Sequence, residues 1–164
     1  MNRMKRTLDC LVLFAAFIAL VSCKTEQGTG FHSLGEEARG WKEVPFAVAN
    51  NYFFKNGQSI PTNPKVVTDE DFNRLFGMAT TMGPDGKPTE IDFSKQFVLA
   101  IVLPVTDVET DIKPMKVETK GQMLRYTYAV KAGQKQSYST QPVAIILIDR
   151  KYKDQDIVLS KGEK

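Results

Sequence analysis

The sequence predicts an α+β fold that is mostly β: an antiparallel sheet of about six or seven strands, curled or barrel-like, with one short helix packed on it. Three observations predict it. Residues 97–103 are seven consecutive apolar residues, rich in branched side chains and followed by Pro104. That run is too short for an ordinary buried helix and has the length of a central strand covered on both faces. Residues 123–131 alternate, with Leu124, Tyr126, Tyr128 and Val130 on one face and Arg125, Thr127 and Ala129 on the other. This is the period of a strand with one buried face. Finally, a full helix signature occurs at residues 68–77, ahead of the strand-rich half rather than alternating with it.

In chain order, residues 44–49 form a short apolar run and predict a first strand. Tyr52, Phe53 and Phe54 lead into Asn56-Gly57, the pair that a two-residue hairpin prefers because its central residues need positive φ. Pro61 and Pro64 end regular pairing. Thr68 caps the helix, and Asp71, three residues on, can return the bond. Asp69, Glu70 and Asp71 complement the helix dipole. Phe72, Leu75 and Phe76 form one apolar stripe, and Gly77 suits the residue beyond the C-cap. Residues 78–90 read as a long connection containing Pro84-Asp85-Gly86 turn chemistry. Beyond the central strand, residues 105–111 read as a polar, acidic loop. Residues 112–119 read as a strand with Met115 and Val117 inward and Pro114 at an edge or bulge. Lys120-Gly121 reads as a hairpin turn. Residues 132–140 read as a polar loop, 143–148 as a second buried strand and 157–159 as a last short strand, with 160–164 a fraying tail. Short turns between consecutive strands predict antiparallel pairs.

The N-terminus is a targeting segment. Arg3, Lys5 and Arg6 precede an unbroken apolar run at 11–21, too short to span a bilayer and of the length of a secretory leader. It ends in Leu20-Val21-Ser22-Cys23, which resembles the bacterial lipobox. The resemblance implies cleavage of a 1–22 signal peptide and a lipid anchor on Cys23, with two or three acyl chains giving lasting membrane attachment. Residues 23–43, with four glycines and few apolar residues, read as a flexible tether, reaching on the order of 25 Å. Residues 44–164 read as a single globular domain. Lys24 follows the cysteine in place of the aspartate that marks inner-membrane retention, which favours the outer membrane. Lys24 and Glu26 resemble the short export tags of surface lipoproteins in the Bacteroides group, and both the periplasmic and the surface face stay open. Trp41, the one tryptophan, marks where the chain docks onto the domain.

Loss of the leader, with three basic residues and one acid, takes the net charge from +3 to +1. No basic stripe survives, so nothing points to nucleic acid. Cys10 leaves with the leader and Cys23 is acylated. His32, the one histidine, lies in the tether, where a solvated side chain is the simpler reading. The domain then offers no Ser-His or Cys-His pair and no zinc ligand set. Asp107, Glu109 and Asp111 read as solvent-facing charges rather than a glycosidase pair. The expected function is therefore binding, not catalysis, with no metal and no cofactor. Candidate partner-binding residues lie in the predicted loops: Thr80, Thr81 and Met82 in one, Thr106 and Thr110 in a second, Tyr138 and Gln141 in a third. A small-ligand or glycan site lined by Tyr52, Phe53 and Phe54 is the alternative.

Three segments carry a family resemblance. They are Val66-Val67-Thr68-Asp69-Glu70-Asp71-Phe72, then Ile91-Asp92-Phe93-Ser94-Lys95-Gln96-Phe97-Val98, then Thr140-Gln141-Pro142 before the late apolar strand. Their layout over residues 66–159 resembles the PrcB-like family of bacterial lipoproteins, named for a subunit that stabilises a surface protease complex. The resemblance implies an envelope protein partner, with a protease that is stabilised or inhibited as the leading case. The family often carries Gly-Gly-Tyr after the main strand. Here Pro104-Val105-Thr106-Asp107 stands in its place, without the glycines that let another backbone approach closely.

Overall fold

The computed structural model describes residues 40–80, 82–83 and 86–162. The expected signal peptide, Cys23, His32 and nearly all of the expected tether lie outside the described residues, as do Thr81, Pro84 and Asp85.

The 97–103 run forms the strand β6, Gln96–Val102, buried over most of its length. Phe97, Leu99 and Ile101 enter one core with Val117, Leu124, Tyr126, Ile146 and Ile148. Val98 and Ala100 enter a second with Phe54, Phe72, Leu75, Phe76 and Leu147. A strand with a core on each face cannot alternate, which explains the unbroken apolar run. Complete burial of a side chain of this kind is worth roughly 1.5–3 kcal/mol.

The strands preceding β6 are short: β1 Lys42–Glu43, β2 Phe46–Ala49, β3 Tyr52–Phe54, β4 Lys65–Val66 and β5 Phe76–Met78. Those following it are β7 Thr106–Lys120, β8 Met123–Thr140, β9 Val143–Asp149 and β10 Asp156–Lys161. The helix α1 spans Asp69–Leu75, and a 3-10 turn, Arg150–Tyr152, precedes β10. One four-stranded sheet has the antiparallel order β2-β9-β6-β4. A second runs β1-β7-β8-β10, in which β10 lies parallel to β8. The pair β3-β5 makes a third. The fold is mostly β with one short helix among the described residues, and none of the sheets closes into a barrel.

The expected single antiparallel sheet is thus corrected to three sheets with more strands, most of them short but β7 and β8 longer than expected. The reason lies in one long hairpin over residues 96–149. Its base pairs β6 with β9, from Gln96↔Asp149 to Val102↔Val143. Its outer half pairs β7 with β8, from Thr106↔Thr140 to Lys120↔Met123. The link between the halves is held by Leu103 N donating to Pro142 O at 3.0 Å. At that link the hairpin changes sheet, so that its outer half packs Ile112, Val117, Leu124 and Tyr126 back onto Phe97, Leu99 and Ile146 of its base. Consecutive strands such as β8 and β9 therefore lie in different sheets. After the 3-10 turn the chain crosses sheets once more, which lets β10 pair in parallel despite a short connection.

The loops expected at 105–111 and 132–140 are strand from Thr106 in β7 and throughout in β8, polar because 106–111 is nowhere buried and 132–140 is mostly exposed. Pro114 does sit at a register shift, where Pro114 pairs with Tyr128 and Lys116 with Thr127. Met115 is the extra residue, and the bulge turns it outward while Val117 goes in. The tip turn is Gly121-Gln122, one residue later than expected, with Gly121 at φ 57°. Asn56-Gly57 forms a turn, with Gly57 at φ 80°, but no hairpin. Instead β3 pairs with β5, Phe54↔Phe76 and Tyr52↔Met78. Gly77 does follow the C-cap, Phe76, as expected, but it is not left-handed: Phe76 is already extended and the chain passes directly into β5. The lack of a Cβ there makes room for the Phe53 ring, which lies across the strand pair on Gly77. Ser160 and Lys161 do not fray; they pair with Thr127 and Tyr128.

Trp41 is half-buried and stacks on Arg125, whose guanidinium carbon lies 4.0 Å from the ring centroid. Beside it β1 adds to β7, with Val44 N donating to Val117 O at 2.8 Å.

Candidate functional site

A cleft of about 510 Å³ opens beside α1, within the size range of small-ligand sites. Four segments build it: β3 gives Tyr52, α1 gives Asp69, Phe72 and Asn73, β5 gives Met78, and residues 87–93 supply one wall.

That wall is fixed at both ends. At its start, the backbone of Asn50 exchanges bonds with Thr89, donating to its Oγ1 at 2.9 Å and accepting from its N at 3.2 Å. Asn51 Nδ2 donates to Lys87 O at 2.9 Å, and Asn51 takes the left-handed backbone with φ 64°, which asparagine tolerates better than most residues. At the far end, Asp92 Oδ1 accepts from Ser94 N at 2.9 Å, while its Oδ2 faces Lys95 Nζ at 2.9 Å. The Ser94 side chain, then Lys95, hold the Asp92 carboxyl down to about 2. Arg150 donates to the carbonyl oxygens of Phe93 and Val67, tying the wall to the entry of α1.

Inside, Tyr52 Oη donates to Thr89 O at 2.7 Å, which locks the ring. Phe72 meets Tyr52 edge-on, 5.0 Å between centroids at 84°, and Phe93 at 5.8 Å and 54°. Asp69 Oδ2 accepts from Asn73 Nδ2 at 2.8 Å. Burial, followed by the charges of Asp69 and Glu90, pushes the Tyr52 phenol above its usual range. Among the described residues neither Asp69 nor Glu90 forms an ion pair. The cleft therefore joins an aromatic and aliphatic interior to a rim with two carboxylates and one ammonium, that of Lys87.

The residues predicted from the sequence fall elsewhere. Thr80 and Met82 are exposed on the connection that leaves Met78 and returns at the Lys87 wall. Thr106, Thr110 and Tyr138, expected on separate loops, lie on the paired strands β7 and β8, and Gln141 on the link to β9. Both threonine hydroxyls engage the backbone of Val108. Thr106 Oγ1 accepts from its N at 3.1 Å and Thr110 Oγ1 donates to its O at 2.9 Å, so they knit the irregular pairing there. Opposite, Val108 pairs with Lys135 and Thr106 with Thr140, so residues 136–139 face Asp107 alone and carry exposed Tyr138 outward. Asp107 binds Lys135 at 3.1 Å. Of the aromatic trio, Tyr52 lines the cleft, Phe54 is buried core and Phe53 lies on Gly77.

The cleft residues other than Tyr52 were not legible as a site. Asp69 and Phe72 read fully as a charge on the helix dipole and a member of the helix stripe, and Phe93 only as part of a segment that carries the family resemblance. The β3-β5 pairing, across more than twenty residues of chain, and the bonds of Asn50, Asn51, Tyr52 and Arg150 to the 87–93 wall bring them together.

Among the described residues no group of three or more His, Cys, Asp or Glu is placed to hold a metal ion, and no helix is long and apolar enough to cross a membrane. No family model, curated protein or solved structure matches the chain.

Proposed function

We propose that this chain is a lipid-anchored, non-enzymatic binding protein of the bacterial cell envelope, held in the outer membrane through Cys23 and contacting another envelope protein. A protease that it stabilises or inhibits is the partner to which the PrcB-like resemblance points. The observation that carries the reading is Leu20-Val21-Ser22-Cys23 placed directly after a basic, then apolar, leader. Absence of a histidine or thiol from the sequence beyond residue 32 supports binding over nucleophilic catalysis.

Two measurements test it. Mass spectrometry of the N-terminal peptide is expected to find Cys23 acylated and residues 1–22 gone, and Cys23→Ala is expected to release the chain from membranes. An unacylated, freely diffusing chain overturns the anchor. Crosslinking in intact cells is expected to join the chain to one defined envelope protein, and a chain that crosslinks to none overturns the protein-binding reading. Protease shaving of intact cells separates the periplasmic from the surface face.

The second reading, a small-ligand or glycan binder, is favoured by the cleft with Tyr52, Phe72 and Phe93 in its lining. Thermal-shift measurements against sugars and peptides distinguish the two.

A further inference from the structure

We propose that the cleft beside α1 receives the lysine or arginine side chain of the protein partner, its aliphatic stem among Tyr52, Phe72, Ile91 and Phe93 and its cationic head between Asp69 and Glu90. The inference rests on the protein-binding reading and names the chemistry of the contact.

Three features carry it. First, the rings meet at 84° and 54° rather than forming one flat platform. Angled rings suit a slim stem with a cationic end, which gains from ring faces, better than a sugar ring that stacks flat. Secondly, both carboxylates of the lining lack an ion-pair partner among the described residues. Both line the cleft together with Tyr52, and their charges help to raise its phenol. Among the described lining residues Lys87 is the one cation, against two carboxylates, which an anionic ligand would meet. Thirdly, the walls are preorganised by the bonds from Tyr52, Asn51 and Arg150, so little ordering is required on binding.

The test is titration of the full chain in detergent with Nα-acetyl-lysine methylamide and Nα-acetyl-arginine methylamide, followed by NMR. The neutral norleucine and citrulline analogues and free putrescine serve as comparison arms. Both cationic amides are expected to shift the ring signals of Tyr52, Phe72 and Phe93 and to bind at least roughly tenfold more tightly than their neutral analogues. Glu90→Gln, on an exposed side chain with no hydrogen bond among the described residues, is expected to weaken both amides severalfold at unchanged melting temperature. Asp69→Asn with Glu90→Gln is expected to weaken them further. Equal binding of the neutral analogues, absence of shifts at those rings, or indifference to Glu90→Gln overturns the proposal. Putrescine binding more tightly than either amide reassigns the cleft to a free polyamine and also overturns it. If the in-cell crosslink to the envelope partner persists in Glu90→Gln while the amides fail, the cleft assignment falls and the protein-binding reading stands.

Discussion

The hydroxyl of Tyr126 lies in the core between the two four-stranded sheets, fully buried and without a hydrogen-bond partner among the described residues. Burial, with a smaller effect from Tyr128, pushes its phenol far above the usual range, so it is neutral at every working pH. A buried, unmatched hydroxyl costs roughly 1–3 kcal/mol. Tyr126→Phe keeps the ring and is expected to raise unfolding stability by about 1 kcal/mol, read from the urea midpoint at unchanged slope. Asp92 presents the opposite case. Its Ser94 and Lys95 contacts put its carboxyl at about 2 in the folded chain, against about 3.9 unfolded. Because the folded value is the lower, its stabilisation is complete above pH 4 and disappears as pH falls toward 2. Asp92→Asn is expected to lower stability at neutral pH, with the gap from the parent closing over that window. Glu118, buried against Lys116 and Arg125, is likewise held below its usual range, first by Lys116, and Glu118→Gln is expected to flatten the acid limb in the same direction.

At the scale of elements, α1 shows what short-range sequence signals settle. Thr68 Oγ1 accepts from Asp71 N at 3.1 Å, as its position predicts. Asp71 answers on the Thr68 hydroxyl, at 2.8 Å, rather than on the backbone. Thr68→Ala is expected to cost about 1 kcal/mol in denaturant unfolding. The strands β6 and β9 were equally legible, since continuous apolar runs have few other uses at that length. The strands of β7 and β8 beyond the core were not. Asp107, Glu109, Lys131 and Lys135 stand on a two-stranded ribbon with little buried face, so neither alternation nor an apolar run marks it as strand. Bulges at Val108 and Met115 disturb the period again. The Asn56-Gly57 turn was legible as a turn, but which strand answers β3 depended on Gly77 admitting the Phe53 ring, information held far along the chain.

At the scale of the molecule, the 96–149 hairpin binds both apolar cores together: its base carries Phe97 and Ile148 into one and Val98 and Leu147 into the other. The pairs at its tip, Lys120↔Met123 and Thr119↔Leu124, are close neighbours in sequence, while Gln96↔Asp149 closes the base from more than fifty residues apart. Closing the base first would carry the loop entropy of that whole stretch, whereas each step outward from the tip adds little. The ordering of events should therefore run as a zipper starting at Gly121-Gln122, stalling at the bulges near Met115 and Val108, and reaching the hydrophobic base last. Replacing Gly121, whose φ of 57° strongly disfavours a β-branched side chain, by valine is then expected to slow refolding in stopped-flow more than it speeds unfolding. A substitution such as Leu147→Ala at the base should do the reverse, so the residues most deeply interred would govern how long the native state lasts rather than how quickly it arises.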